Sequence, residues 1–189
     1  MFKKIMIVLC SFCLQGCMNI ATTGAEAIYN RHSIQKNLKD QYLTMQAYKA
    51  LYYDTDQFKN TNIIISTYNR EMLLAGQAPY LWQKTRAKEM IQKIPDVGTI
   101  YNLVAIESPS SSLTRINDAW ITAKVKAKFL ASNDMDGSKV KVITENGTVF
   151  LMGTLLPEHA HEAVDLASNT DGVQRVVKIF YYMKISKKL

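Results

Sequence analysis

The stretch Lys139–Gly153, KVKVITENGTVFLMG, consists of two apolar runs that meet at Asn146-Gly147. Asn-Gly strongly favours a two-residue hairpin turn, because both residues tolerate positive φ. A second stretch, Asn62–Gly76, NIIISTYNREMLLAG, lies over the first at a constant spacing of 77 residues and has Asn69-Arg70 at its turn. The turn signal is weaker at Arg70 and allows a different turn there. The chain therefore contains two related strand pairs.

The segments around the two hairpins also match. Helical spacing precedes each hairpin, a helix-like stretch follows it, and an apolar strand ends each copy near Val97 or Val173. The predicted helices are Ser33–Tyr53 and Leu81–Ile94 in the first copy, and Asn117–Ala131 and Glu158–Thr170 in the second. This order predicts an α+β fold of two tandem αββαβ domains, each a three-stranded mixed sheet packed on two helices. The other face of each sheet is left for solvent, a partner or the neighbouring domain.

Composition places the domain boundaries. The polar Pro/Ser stretch ESPSSSLT, Glu107–Thr114, separates the two copies and is typical of a linker. We therefore divide the chain into a signal peptide, a tether, a first domain, a linker, a second domain and a basic tail, at residues 1–16, 17–32, 33–106, 107–115, 116–185 and 186–189.

The N-terminus indicates export. Lys3 and Lys4 precede an apolar run, Ile5–Leu14, that is too short to span a bilayer and is typical of a secretory signal. The run ends in Leu-Gln-Gly-Cys, which resembles the lipobox of bacterial lipoproteins. That resemblance implies cleavage before Cys17 and attachment of lipid, including palmitate, to it. The alternative is an ordinary secretory signal with a chance Gly-Cys at its end.

The assignment as an exported lipoprotein bears on the membrane in which the protein lies and on the partner of its positive charge. Met18 stands where an Asp would retain many lipoproteins in the inner membrane, so we expect the outer membrane, with the protein facing the periplasm. Cys10 and Cys13 leave with the signal, so no disulfide is expected. The net charge of +7 favours nucleic acid or an anionic lipid surface. Export excludes nucleic acid as the usual partner, and anionic lipid is the better candidate.

The second copy carries the clearest family resemblance. Its runs TENGTVFLMG and DGVQRVVKIF, with a helix between them, resemble the BON domain, an OsmY-like family, and NDAWITAKVK at the start of the copy resembles dual-BON lipoproteins of the outer membrane. The first copy departs most, with Asn69-Arg70 at its turn and Pro95-Asp96 where the second has Asp171-Gly172. The resemblance implies a non-enzymatic protein that binds anionic phospholipids, such as phosphatidylglycerol or cardiolipin, and maintains outer-membrane integrity.

The helix Asn117–Ala131 is the predicted binding element, capped by Asn117 or Asp118. Trp120, Lys124 and Lys128 form one stripe at intervals of four residues, and Trp beside lysines suits a membrane interface. The resemblance implies that the helix contacts phospholipid through its tryptophan. The predicted set is Trp120, Ile121, Lys124, Lys128 and Lys126, the last of which projects elsewhere.

Two alternatives stay open. Trp120 could pack between the domains, with the lysines forming a solvated face. The protein could instead be an interaction module that docks onto outer-membrane protein assembly, cell-division or peptidoglycan-remodelling machinery. Membrane docking and packing between the domains are also compatible with each other.

The sequence contains little that suggests an enzyme. His159 and His161 point to different sides of a helix, and His32 is isolated. The run Ser132–Gly137 is similar to the start of a calcium loop, but its twelfth position is Ile143, where a bidentate Glu is needed. The sequence offers no candidate for a phosphate loop or catalytic nucleophile. We expect no catalytic residue, metal or cofactor.

Overall fold

The computed structural model describes residues 24–183, with side chains from residue 35 onward. The predicted signal peptide, Cys17, the first part of the tether and the basic tail 186–189 lie outside the described residues.

The first domain has the predicted order of elements. Helix α1 continues into a π-helical turn at Lys49–Tyr53, and the domain comprises α1 (Gly24–Tyr48), β1 (Asn62–Tyr68), β2 (Glu71–Ala78), α2 (Leu81–Ile91), β3 (Ile100–Asn102) and β4 (Ala105–Ile106). Strands β1 and β2 are antiparallel, and β3 and β4 both run parallel to β2. The predicted third strand is therefore split in two. The break falls where Val104 turns into the core and is 1% exposed.

The second domain repeats this order with an unbroken third strand. It comprises α3 (Ser112–Ala131), a 3-10 turn (Gly137–Lys139), β5 (Val140–Glu145), β6 (Thr148–Leu155), α4 (Pro157–Ser168) and β7 (Arg175–Tyr182). Strand β6 lies between antiparallel β5 and parallel β7. The predicted α+β fold of two αββαβ domains is confirmed.

Both first helices begin earlier than predicted. Helix α1 begins at Gly24 rather than Ser33, and α3 begins at Ser112, within the stretch predicted as linker. The N-cap of α3 is Ser111, whose hydroxyl accepts a hydrogen bond from Thr114 N at 3.1 Å. The prediction that Asn117 or Asp118 caps this helix is wrong. Both residues lie more than one turn inside the helix.

Asp118 instead holds the hairpin turn of its own domain. Asp118 is 4% exposed, and its carboxylate accepts hydrogen bonds from Asn146 N at 2.8 Å and Gly147 N at 2.9 Å. Asp40 on α1 does the same in the first domain, where Asn69 N and Arg70 N donate to it at 2.6 and 2.8 Å. The two clamps are equivalent and lie 78 residues apart, at Asp40 and Asp118.

The two turns also share one backbone conformation. Residues Asn69 and Arg70 have φ of 49° and 69°, and Asn146 and Gly147 have φ of 48° and 68°. The first hairpin therefore turns as tightly as the second, although a different turn was allowed for it. Positive φ is unfavourable for arginine, and the paired hydrogen bonds to Asp40 offset that cost.

The two sheets pack against each other through the faces that their helices leave open. A separate apolar cluster joins Leu73 and Ala75 of β2 to Phe150 and Met152 of β6, all at most 5% exposed. Its partly buried neighbours include Tyr68, whose hydroxyl accepts a hydrogen bond from Thr154 N at 3.1 Å. The sequence left each open sheet face to solvent, a partner or the neighbouring domain, and in the structure it is buried against the neighbouring domain.

A polar cluster at the edge of this interface involves Glu145. Its Oε1 accepts hydrogen bonds from Gln77 Nε2 at 2.8 Å, Asn62 Nδ2 at 3.0 Å and Ser110 Oγ at 3.2 Å. Burial raises the pKa of the Glu145 carboxyl, and nearby Asp118 adds to that effect, although the donors oppose it. The cluster ties the second domain to both the first domain and the linker.

Candidate functional site

Helix α3 buries one face and exposes the opposite one. Ile121, Val125 and Phe129 lie in the core of the second domain, each at most 1% exposed. Thr122 lies beside them, and its hydroxyl donates to Thr144 Oγ1 at 2.7 Å. At about 100° per residue, this inward face is opposite Trp120. The helix therefore presents Trp120 directly away from the sheet.

An apolar band follows the outward face of α3. Its large members are Leu113 (75% exposed), Ile116 (57%), Trp120 (67%) and Leu130 (75%), and the exposed Ala123 and Ala127 lie between them. Their spacing of three, four, three, four and three residues keeps them on one side of the helix. The band spans roughly 25 Å at 1.5 Å per residue. Trp120 therefore does not pack between the domains.

Lysines border this band on both sides. Lys124 and Lys128 lie along one edge, and each donates to a backbone carbonyl that follows the end of α4. Lys124 Nζ donates to Asp171 O at 2.5 Å, and Lys128 Nζ donates to Asn169 O at 2.6 Å. Lys126 lies along the other edge, toward the first domain. None of the three forms an ion pair with a described acidic residue. Their positive charge is therefore available to an outside anion.

The structure brings together four of the five predicted side chains on this surface. Ile121 is the exception, because it is 1% exposed and packs in the core, where it cannot reach a membrane. Gly172 approaches it closely, since a Cβ there would stand 3.1 Å from Ile121 Cδ1. Ile121 thus supports the helix that carries the surface.

The predicted set omits three large residues of the band, Ile116, Leu130 and Leu113. Leu113 was moreover assigned to the linker, because the Pro/Ser stretch hid the first turn of α3. The signal available in the sequence was Ser111 itself, because serine is a favoured N-cap residue. In the structure its hydroxyl accepts the hydrogen bond from Thr114 N.

The equivalent face of the first domain is also apolar in part, since Leu38, Tyr42 and Met45 are exposed there, but it lacks the same lysines. At the spacing of 78 set by Asp40 and Asp118, Trp120 corresponds to Tyr42, and Lys124 corresponds to Gln46. Tyr42 is exposed, but the nearby Lys39 is paired with Asp96 at 3.0 Å. Gln46, Tyr48 and Ala50 stand at the positions equivalent to Lys124, Lys126 and Lys128, so the lysines at these three positions are a property of the second domain.

The described residues hold neither a membrane-spanning helix nor a metal cluster. Within residues 24–183, the helices are too short or too polar to cross a bilayer, and His, Cys, Asp and Glu side chains do not gather in groups that could hold a metal. Asp136, part of the calcium-like stretch, instead accepts bonds from Ser138 and pairs with Lys139 at 3.3 Å.

The chain belongs to the BON domain family. The BON domain pattern matches residues 39–108 and 117–180, which correspond to the two αββαβ units of the structure. The resemblance seen in the sequence is confirmed for both copies.

Three relatives are similar over most of their length. The chain is 31% identical to the outer membrane lipoprotein DolP of Haemophilus influenzae over 187 residues, or 96% of each chain. It is 34% identical to the 21 kDa hemolysin of Actinobacillus pleuropneumoniae, covering 77% of this chain and 75% of the relative. It is 26% identical to the osmotically-inducible protein Y of Escherichia coli K12, covering 82% and 78% respectively. None of these names denotes an enzyme.

Proposed function

We propose that this protein is an outer-membrane lipoprotein that binds anionic phospholipid through α3 of its second domain. The observation that carries the proposal is the exposed apolar band on α3, bordered on both sides by lysines that form no ion pair with a described acidic residue. Similarity to DolP, which is named as an outer membrane lipoprotein, supports the location. Lipid attachment at Cys17 and a periplasmic orientation belong to the same proposal, as does a role in outer-membrane integrity.

The physical chemistry of the band fits an interfacial helix. Tryptophan prefers the headgroup level of a bilayer, and leucine and isoleucine beside it enter the acyl boundary. A lysine near an anionic surface contributes about 1 kcal/mol, so three lysines provide roughly a 100-fold preference for anionic over neutral lipid. Such binding is reversible by itself. The proposed anchor at Cys17 keeps the helix close to the membrane.

Vesicle binding tests this proposal. The chain without its acyl groups, residues 18–189, retains every described residue and is mixed with vesicles of phosphatidylcholine with or without phosphatidylglycerol. We expect binding only where phosphatidylglycerol is present, weakened as salt rises from about 0.05 to 0.5 M. Trp120→Glu should weaken it at least about 10-fold, because it places a charge where the ring enters the interface.

The matched control is Trp82→Glu in the first domain. Trp82 is the other tryptophan and is also exposed, at 51%, but it lies on α2. Both variants should keep the wild-type circular dichroism spectrum. Equal losses for the two variants, or wild-type binding by Trp120→Glu, would contradict the assignment of the site to α3.

A second candidate function is favoured by an exposed aromatic cluster on the first domain. Tyr80, Leu81 and Trp82 are each at least 51% exposed at the start of α2, and the rings of Tyr80 and Trp82 stack with centroids 6.4 Å apart. Exposed apolar clusters often mark protein interfaces. This cluster fits the alternative of an interaction module for envelope machinery.

Crosslinking in cells distinguishes the two candidates. A stoichiometric protein partner that is lost in Trp82→Glu and retained in Trp120→Glu would support the interaction module. If Trp82→Glu leaves the crosslinked partners unchanged, the aromatic cluster is not the interface and the second candidate is contradicted.

A further inference from the structure

A groove between the two domains lies beside the apolar band of α3. Its volume is about 400 Å³, which is within the range of small-ligand sites. The first domain contributes polar side chains from α1 and β1, and the second contributes α3 and β5. The lining includes Asn37, Gln41 and Tyr68 on one side and Lys126, Leu130 and Lys141 on the other.

Two lysines from different elements meet in this groove. Lys126 comes from α3, and Lys141 comes from β5. Lys141 Nζ donates one hydrogen bond across the domain boundary to Thr67 O at 2.8 Å, which fixes its position and leaves two N–H donors. Burial lowers the pKa of Lys141, and the charge of Lys126 acts in the same direction, while Asp40 opposes both. Both lysines therefore present their charge to the same groove.

The acidic residues nearby do not balance this charge. Asp40 is the one carboxylate among the described residues that line the groove, and both its oxygens accept hydrogen bonds from the turn amides of Asn69 and Arg70. The third lining lysine, Lys139, is paired with Asp136 at 3.3 Å. One positive charge is left over in a concave, partly desolvated place, where an anion is bound more strongly than on an open surface.

The groove is continuous with the membrane-facing band. Leu130 lines the groove and is also the last large residue of the band. A lipid whose acyl chains lie under the band would therefore have its headgroup beside Lys126. A soluble anion would gain nothing from this continuity, which favours lipid as the source of the anion.

We infer that the groove between α1, α3 and β5 is a headgroup site that takes the phosphodiester of an anionic phospholipid between Lys126 and Lys141. The inference rests on the proposed function and deepens it, since it separates headgroup recognition from insertion of the band. Lys126, which projects away from the stripe of Trp120, thereby gains a role that Lys124 and Lys128 do not share.

The test uses a short-chain phosphatidylglycerol below its critical micelle concentration, so that no bilayer is present. NMR spectra of the ¹⁵N-labelled chain, residues 18–189, are recorded during titration with this lipid, with short-chain phosphatidylcholine and with inorganic phosphate. We expect saturable shifts of the Lys126 and Lys141 amides with phosphatidylglycerol, and much weaker shifts with the other two probes.

Variants assign the binding to the two lysines. Lys126→Gln with Lys141→Gln should weaken binding about 30-fold, because each lysine contributes about a factor of five. The charge-retaining Lys126→Arg should stay within about 2-fold of wild type. Lys88→Gln is the control for loss of one charge, because Lys88 is exposed on α2 and does not line the groove. A thermal melt checks that Lys141→Gln keeps the domains folded.

Each outcome separates this inference from the proposed function. Absence of saturable shifts overturns the headgroup site, and if vesicles containing phosphatidylglycerol still bind in a Trp120-dependent way, the proposed function survives. Equal shifts with inorganic phosphate overturn the assignment to lipid. If the wild-type chain binds neither the short-chain lipid nor the vesicles with phosphatidylglycerol, both proposals are overturned.

Discussion

The carboxylate of Asp118 should be one of the most important groups for the stability of the second domain. It accepts two hydrogen bonds, at 2.8 and 2.9 Å, from the backbone of the Asn146-Gly147 turn, and the residue is 4% exposed. A hydrogen bond to a charged group contributes about 1.5 to 3 kcal/mol. Asp118→Ala removes both acceptors and leaves two amides without their partners, so we expect a loss of at least about 3 kcal/mol.

Urea denaturation measures this loss. With a slope near 2 kcal/mol per molar, Asp118→Ala should lower the midpoint by about 1.5 M. Asp118→Asn keeps the shape and one acceptor oxygen but turns an NH₂ group toward the second amide, so its midpoint should fall between those of the wild type and the alanine variant. Asp40→Ala is the matched variant in the first domain and should behave like Asp118→Ala.

A weak effect would refute the reasoning. If Asp118→Ala shifts the midpoint by less than about 0.5 M, water satisfies the turn amides and the Asn-Gly turn holds its shape alone. Ser111→Ala provides the scale, because loss of an N-cap costs about 1 kcal/mol.

Three further predictions concern stability. Burial raises the pKa of the Glu145 carboxyl, so the folded chain holds the carboxyl proton more tightly than the unfolded chain does. The free energy of unfolding should therefore fall as pH rises above the ordinary pKa of 4.5. Glu145→Gln should flatten this part of the pH profile in thermal melts from about pH 4 to 8. Thr122→Val removes the hydroxyl that donates to Thr144 at 2.7 Å and should cost about 1 kcal/mol in urea denaturation, whereas no change would mean that water replaces it. Gly76→Ala and Gly153→Ala should both lower the urea midpoint, because each new Cβ would press on a backbone oxygen, Asn62 O and Lys139 O respectively. Gly76→Ala should lower it far more, because that overlap is the closer one and Gly76 also has a φ of +106°; equal midpoints would contradict this.

The fold could be predicted because its signals are local and occur twice. Each hairpin, its turn and the following helix lie within about 35 residues, and agreement between the copies supports each assignment. The conformation of Arg70 could not be predicted from its neighbours, because the group that stabilises it, Asp40, lies 30 residues away in the sequence. The start of α3 was hidden because serine serves both linkers and N-caps.

The candidate site was predictable only in part, for a geometric reason. Helical spacing places apolar residues on two sides of α3 but does not show which side faces the sheet. The structure settles this through Asp118, which must face the hairpin turn and so rotates Ile121, Val125 and Phe129 inward. The groove with Lys141 could not be predicted, because it depends on how the two sheets pack.

The repeated framework explains how one domain can carry the proposed binding surface without losing its fold. Asp118 and Thr122 join helix to hairpin in the second domain, and their equivalents Asp40 and Thr44 make the same contacts in the first. The outward positions take no part in those contacts, so Trp120 and Lys124 could replace a tyrosine and a glutamine at little cost to folding. The open sheet faces are already used to join the domains. Helix faces are therefore the surfaces left for a membrane. Both first helices expose apolar side chains, and the lysines at positions 124, 126 and 128 distinguish the helix of the second domain from that of the first.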